Sequence, residues 1–256
     1  MGPLVGTVRA ASGVDGYTLT IVSDTVTYGT SVNVTSSDGN AGLICNTLEN
    51  GTICLDGFTF PSLEYKVTAS GIYKEYTAES PNTTGNAGGI IGAMYPNTKL
   101  EVKVSKISQA TVSTKGNAGG MVGFLGNNAT IQTKCAIEFI GVGVSGANSA
   151  GGLVGAMSTE ASIETDNFIT FTGVEANGDV KAKPTVSVES SSGSAGGLVG
   201  TMDTGAQIAT GEGAAITISS ENVDAALAPT IIGGTAAGGV IGTAKNVTFN
   251  SLKSGI

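Results

Sequence analysis

The chain has 256 residues, of which 40% are hydrophobic, 12% are charged and 40 are glycine. This apolar content is enough to bury a continuous core, but the formal net charge of −8 comes without the clustered cations that nucleic-acid binding requires. No apolar run approaches the roughly 18 residues of a membrane-spanning helix, and the absence of histidine excludes Ser-His-Asp and Cys-His catalysis within the chain.

The N-terminal quarter carries two degenerate copies of a glycine-rich motif. The first is Gly2-Pro3-Leu4-Val5-Gly6, in which Pro3 replaces the second motif glycine. The second is Ala41-Gly42-Leu43-Ile44-Cys45, which we align with one glycine missing and Cys45 in place of the last glycine. The first five residues have neither a cationic region nor a long apolar segment, so they are not a signal peptide.

Three cysteines, Cys45, Cys54 and Cys135, raise the question of a disulfide. If the intervening Asn50-Gly51 pair forms a two-residue hairpin, Cys54 faces Thr47 and is only a diagonal neighbour of Cys45. We therefore expect buried thiols, because unpaired cysteine packs as a small apolar residue. Three thiols without a histidine make a poor zinc site, and we expect no metal and no cofactor.

From residue 87 onward the motif recurs five more times, as in Ala150-Gly151-Gly152-Leu153-Val154-Gly155-Ala156-Met157. The seven copies lie near residues 2–8, 41–47, 87–94, 118–125, 150–157, 195–202 and 237–244, which predicts one repeat array over residues 1–256. The shortest spacing is 31 residues. Longer units carry insertions, for which we propose Pro61 to Pro81 and Gly173 to Val188, and such insertions map to surface loops.

Residue alternation predicts that each motif is a single strand buried on both faces of a parallel sheet. The second apolar position is β-branched in every copy, so these residues should form one ladder between stacked coils: Val5, Ile44, Ile91, Val122, Val154, Val199 and Ile241. A second alternating strand follows each motif, and a third often follows, as at Ile137 to Val144 and Thr185 to Val188. Three short strands per unit predict an all-β fold, a repeat β-solenoid in the form of a right-handed parallel β-helix with inserted loops.

The Gly-Gly-Leu-Val-Gly core of the motif, seen at 151–155 and 196–200, resembles the signature of GLUG-motif repeats. These repeats occur in large bacterial surface proteins, including adhesins and cell-wall-anchored peptidases. The resemblance extends from Gly2 to about Leu252, and six to eight residues per unit carry it. It implies an extracellular repeat region that holds or displays something else.

Parallel β-helices also include polysaccharide lyases and hydrolases, whose sites bring several carboxylates together. The densest acidic group in this chain is Glu160, Glu164 and Asp166, of which Glu164 and Asp166 should share one strand face. A solvated strand face accounts for these residues without any function. We therefore predict no catalytic residues and no enzyme activity.

These observations favour a non-catalytic stalk or display region of an extracellular, adhesin-like surface protein. Two alternatives are a subunit of a self-assembling extracellular filament and a carbohydrate-active β-helix with a site in its inserted loops. We expect adjacent repeats or copies of the same protein as end-to-end partners, and host or matrix glycans or proteins as ligands of the loops. Since the first motif lacks preceding strands and the chain stops soon after the last, we also expect both ends to be cuts through a longer array.

Overall fold

The computed structural model describes residues 4–9, 17–22, 33–34, 36, 39–56, 65–68, 85–103, 106–108, 110–173, 186–218 and 228–250. Every regular element in these ranges is a β-strand. In this part of the chain, accordingly, no helix is long and apolar enough to cross a membrane. The prediction of an all-β fold is confirmed.

The strands follow the chain in short coils. The first two coils contain β1 (Val5–Val8), β2 (Thr18–Val22), β3 (Asn33–Val34), β4 (Ala41–Gly42), β5 (Cys45–Leu48), β6 (Thr52–Asp56), β7 (Tyr65–Thr68) and β8 (Ala87–Gly88). The third and fourth contain β9 (Ile91–Met94), β10 (Lys99–Lys103), β11 (Lys106–Ser108), β12 (Ala110–Thr114), β13 (Asn117–Gly119), β14 (Val122–Leu125), β15 (Thr130–Thr133), β16 (Ile137–Ile140), β17 (Val142–Gly146) and β18 (Ser149–Gly151).

The remaining coils repeat this order. They contain β19 (Val154–Met157), β20 (Ser162–Thr165), β21 (Ile169–Thr172), β22 (Val186–Ser190), β23 (Ser194–Gly196), β24 (Val199–Met202), β25 (Gln207–Thr210), β26 (Ile216–Ile218), β27 (Thr230–Gly233), β28 (Ala236–Gly238), β29 (Ile241–Ala244) and β30 (Thr248–Asn250).

Strands at the same place in successive coils pair in parallel and build five sheets. Numbered by their order along one coil, sheet 1 contains β1, β5, β9, β14, β19, β24 and β29, and sheet 2 contains β2, β6, β10, β15, β20, β25 and β30. Sheet 3 contains β11, β16, β21 and β26; sheet 4 contains β3, β7, β12, β17, β22 and β27; sheet 5 contains β4, β8, β13, β18, β23 and β28. The fold is a parallel β-solenoid.

A full coil has five strands, where the sequence predicted three. The stretch from Ile137 to Val144 divides into β16 and β17 at Gly141, whose φ of 57° turns the backbone out of the extended conformation. The predicted insertion from Gly173 to Val188 is too long at its C-terminal end. Val186 is the first residue of β22, where it pairs with Val142, so the last three residues of the predicted insertion belong to sheet 4. Within the other proposed insertion, Tyr65–Thr68 is β7 of sheet 4, and the rest of it lies outside the described residues.

The predicted ladder of second apolar residues exists in sheet 1, with one correction. Val122 pairs with Val154 and Val154 with Val199, as expected. In the degenerate second copy, however, Cys45 pairs with both Val5 and Ile91, so Cys45 and not Ile44 is the ladder residue. The pairing of Ala41 with Ala87 and of Gly42 with Gly88 fixes this register. No glycine is missing there: Leu43 occupies the position of the second glycine.

The motif is also not a single strand. In the copy at 150–157 the chain leaves sheet 5 at Gly151, bends through Gly152 and Leu153, and enters sheet 1 at Val154. The two short strands then pack against each other. A Cβ on Gly151 would lie under 3.0 Å from the Val154 carbonyl oxygen, and one on Gly155 under 3.0 Å from the Ala118 carbonyl oxygen of an earlier coil. The motif glycines therefore make a backbone-to-backbone seam between sheets 5 and 1.

The interior is one hydrophobic cluster that extends through the coils from Val8 to Ile208. Its largest members are Phe139 and Phe171, which stack with ring centroids 4.8 Å apart and an interplanar angle of 14°. The corner between sheets 1 and 2 repeats a left-handed backbone conformation at the positions Asn97, Asn128, Glu160, Gly205 and Asn246. Asparagine and glycine adopt this conformation at low cost, which accounts for four of these five residues.

Candidate functional surface

The outer side of sheet 2 carries rows of charged side chains. Because strand neighbours are in register, side chains form rows that run from coil to coil, about 4.8 Å per step. One row is Cys54, Glu101, Gln132 and Glu164, followed by Ala209. A second row lies beside it and contains Asp56, Lys103, Lys134 and Asp166. Asp56 pairs with Lys103, and in the next two coils Lys134 and Asp166 each directly follow a paired threonine, Thr133 and Thr165.

Most charged side chains on this surface lie next to a side chain of opposite charge. Lys103 Nζ lies 3.2 Å from Asp56 Oδ2 and 3.5 Å from Glu101 Oε1, and Lys99 Nζ lies 3.5 Å from Glu101 Oε2. Lys134 Nζ lies 3.1 Å from Asp166 Oδ2. The hydrogen bond from Lys103 to Asp56 raises the pKa of the lysine. These exposed pairs contribute little stability, but they leave a surface of mixed sign.

The acidic group expected from the sequence does not converge on one point. Glu160 is exposed at the left-handed corner, whereas Glu164 lies within β20 and accepts a hydrogen bond from Ser162 Oγ at 3.3 Å. Asp166 follows β20 on the same side and is paired with Lys134. Among the residues that the structure describes, no three His, Cys, Asp or Glu side chains are grouped to hold a metal ion.

A second line of charges follows the edge of sheet 1. Arg9 donates to both carboxylate oxygens of Glu49, at 2.6 Å for the Nη2–Oε1 bond. That hydrogen bonding, together with the charge of Arg9, lowers the pKa of Glu49. At the other end Lys245 Nζ lies 3.5 Å from Asp203 Oδ1. The pKa of Asp203 is lowered by the hydrogen bond that its carboxylate accepts from the Thr204 backbone, and also by Lys245.

Two cysteines are buried as free thiols, as predicted, although the hairpin expected between them is absent. Cys45 is in sheet 1 and Cys54 is in sheet 2, so the chain turns a corner between them. Burial raises the pKa of Cys45 to about 11, and its Sγ donates to the Thr47 carbonyl oxygen at 3.1 Å. Burial also raises the pKa of Cys54 and of the half-buried Cys135. Raised pKa values leave little thiolate, so these groups are poor nucleophiles.

Sequence reasoning missed an asparagine ladder next to the motif. Asn86 Nδ2 donates to Asn40 Oδ1 at 3.0 Å, and Asn117 Nδ2 donates to Asn86 Oδ1 at 2.8 Å. In the next two coils serine takes this position: Asn117 pairs with Ser149, and Ser149 with Ser194. The signal was present in the sequence, because each of the three asparagines directly precedes an Ala-Gly pair. The ladder joins coils and presents no reactive group.

No family model matches this chain, and no curated protein or solved structure matches it either. Its function can therefore be inferred only from its residues and its fold.

Proposed function

We propose that the chain is a non-catalytic stalk or display region of an extracellular, adhesin-like surface protein, of the kind that the GLUG-like motif implies. The observation that supports this proposal most strongly is the unbroken register of sheets 1 and 2 from the first described coil to the last. Each coil adds the same rise to a stiff rod. A rod of this kind separates whatever lies at its two ends.

The distribution of coil length supports a display role. Sheets 3 and 4 meet at one corner of the solenoid. Only Gly141 separates β16 from β17 there, whereas residues 173–185 separate β21 from β22 and residues 219–229 separate β26 from β27. Extra sequence therefore enters at the same corner in two successive coils without disturbing the pairing on either side. In this proposal those segments contact host or matrix glycans or proteins.

The paired charges on sheet 2 also support a role without chemistry. A hydrolytic or lyase site needs carboxylates that converge on one substrate atom, with pKa values set apart by their surroundings. On the outer face of sheet 2, Glu101 is paired with lysines and Asp166 with Lys134, and Glu164 accepts from Ser162. These contacts support a solvated strand face without a catalytic role.

The proposal can be tested on cells that produce the protein. Antibodies raised against the purified chain should label intact cells, and brief protease treatment of intact cells should remove the label while a cytosolic marker survives. Labelling that requires permeabilised cells would overturn the extracellular assignment. Separately, the purified chain should release no sugar from polysaccharides. Turnover that Glu164→Gln or Asp166→Asn abolishes would favour the carbohydrate-active alternative.

A further inference from the structure

One corner of the solenoid repeats a pattern that the proposed function does not use. The corner lies between sheets 1 and 2, and its left-handed residues each stand two residues before a strand of sheet 2 begins: Asn97, Asn128, Glu160, Gly205 and Asn246. All five residues are exposed, in five successive coils. Because the strands that follow them pair in register, the sheet 1–2 corner forms one continuous exposed edge.

Two residues of this corner are the acceptor asparagines of sequons. The sequence Asn-x-Ser/Thr is the recognition signal for N-linked glycosylation. Asn128 is followed two residues later by Thr130, and Asn246 is followed two residues later by Thr248. Each threonine is the first residue of its strand, β15 or β30. The two sequons therefore occupy the same place in their coils.

The side-chain amides of these two asparagines take no part in joining the coils. Backbone groups do this at the corner: Asn128 N donates to the Thr159 carbonyl oxygen at 3.1 Å, and Gly205 N donates to the Asn246 carbonyl oxygen at 3.0 Å. Within the described part of the chain, neither the Asn128 side chain nor the Asn246 side chain has a hydrogen-bond partner. A sugar attached to either amide therefore breaks no contact between coils.

The asparagine ladder beside the motif shows the opposite arrangement. Its side-chain amides bond from coil to coil, and each of its asparagines precedes an Ala-Gly pair, which is not a sequon. Asn127, directly before Asn128, also has a partner, since its Oδ1 accepts a hydrogen bond from Ser158 Oγ, and it too lies outside any sequon. The amides that hold coils together and the amides at the two corner sequons thus belong to different residues.

We propose that Asn128 and Asn246 are sites of N-linked glycosylation. This inference rests on the proposed extracellular location, because sequons are used on the surface of secreted proteins. In the reaction, the side-chain amide nitrogen attacks the anomeric carbon of a sugar that carries a diphosphate leaving group. A carbon–nitrogen bond forms, the bond from the anomeric carbon to the diphosphate oxygen breaks, and a base of the transferase takes the amide proton.

The other three sequons of the chain, at Asn33, Asn50 and Asn82, are not assigned. Asn50 stands two residues before β6 at the same corner, but it is half-buried, and the left-handed residue in this coil is Gly51, with a φ of 82°. Asn82 and the side chain of Asn33 lie outside the described residues.

The two glycans lie three coils apart, about 14 Å along the solenoid axis. Sheets 2 and 3 separate their corner from the corner between sheets 3 and 4, where the extra sequence enters. Glycans at the sheet 1–2 corner therefore cover one edge of the rod, while the segments with the proposed display role leave it at another.

Peptide mapping of the protein isolated from the cells that produce it tests the proposal. Trypsin releases residues 116–134 and 246–253, each with a single sequon. Mass spectrometry with fragmentation that keeps the sugar attached should locate carbohydrate on Asn128 and Asn246. Bare asparagine at both positions would overturn the proposal, whichever compartment the protein came from. Antibody labelling of intact cells tests the location separately, so labelled protein with both asparagines bare would refute the glycosylation alone.

Four variants made in the same cells test the role of the sequon and of the corner. Thr130→Ala should remove the sugar from Asn128, and Thr130→Ser should keep it, because serine also completes the sequon. Asn127→Gln changes an exposed neighbour outside the sequon and is the control, so it should leave the Asn128 glycan unchanged. Lys99→Thr completes a sequon at Asn97, in register with the one at Asn128, and should add a glycan there. A sugar on Asn128 that survives Thr130→Ala, or a bare Asn97 in the Lys99→Thr variant, would contradict the assignment.

Discussion

The stacked pair Phe139 and Phe171 provides a direct test of how much one coil-to-coil contact contributes to stability. Both side chains are fully buried in sheet 3, and isoleucine occupies the same register position on either side, at Ile107 and Ile218. Phe171→Ala removes a whole ring from a packed interior. We expect it to lower the free energy of unfolding by about 3–5 kcal/mol.

Phe168 supplies a matched control in the same coil. Its ring is 52% exposed just before β21, and its carbonyl oxygen accepts the hydrogen bond from Ile137 N, which an alanine would retain. Phe168→Ala should therefore change the free energy of unfolding by less than about 1 kcal/mol. Because both variants replace phenylalanine by alanine, any difference between their unfolding free energies reports the difference in burial and not the residue type.

Circular dichroism during urea and thermal unfolding measures both variants. For a chain of this length the loss predicted for Phe171→Ala corresponds to a fall of roughly 6–20 °C in Tm. The stacking itself should appear as a coupling of about 0.5–1.5 kcal/mol in the double-mutant cycle of Phe139→Ala and Phe171→Ala. Equal losses for Phe168→Ala and Phe171→Ala would refute the reasoning, because the exposed ring would then matter as much as the buried one.

Three further predictions concern polar and titratable groups. Asn86→Ala breaks the asparagine ladder at its middle and should cost about 1–3 kcal/mol by urea denaturation; an unchanged denaturation midpoint would contradict a structural role. A thiol reagent at neutral pH should modify Cys135 before Cys45, whose pKa is raised to about 11, and equal rates by mass spectrometry would count against this. Arg9 lowers the pKa of Glu49 in the folded protein. The stability that this ion pair contributes is therefore fully present above the pKa of Glu49 in the unfolded chain, about 4.3, and is lost as the pH falls through the lower pKa of the folded state. On acidification the Tm of the Arg9→Gln variant should consequently fall slightly less than the Tm of the wild type. An identical fall in Tm would argue that the Arg9–Glu49 pair contributes nothing to stability.

The stacking of coils could be predicted from the sequence because the ladder position has the same kind of residue in successive motif copies. A β-branched residue between glycines recurs at Val122, Val154 and Val199, and only parallel in-register pairing buries all of them together. The register at Cys45 could not be read in the same way. There the Ala41–Ala87 pairing in sheet 5 decides the alignment, and Leu43 takes a glycine position, so a comparison of motif letters inserts a false gap.

The number of strands was mispredicted for a local reason. One positive φ at Gly141 and one bend at 152–153 split two apparently continuous stretches, and side-chain alternation does not report such bends. For the candidate surface, the sequence placed Glu164 and Asp166 on one face, and the structure agrees: Glu164 within β20 and Asp166 directly after it are both on the outer side. It could not show that Lys134, from the previous coil, pairs with Asp166, because that contact depends on the coil register.

Parallel pairing between coils determines how the molecule responds to tension. The backbone hydrogen bonds that join coils lie along the solenoid axis, whereas the chain within each coil runs across it. A pull on the two ends therefore opens the coils one after another from an end, and no large set of bonds resists at once. The coil from Ile91 to Val122 spans 31 residues. In the folded solenoid it adds about 4.8 Å to the length along the axis, and after it unfolds the same residues can extend to about 100–110 Å. Under force the rod becomes a tether that lengthens in steps, each as long as the sequence stored in one coil.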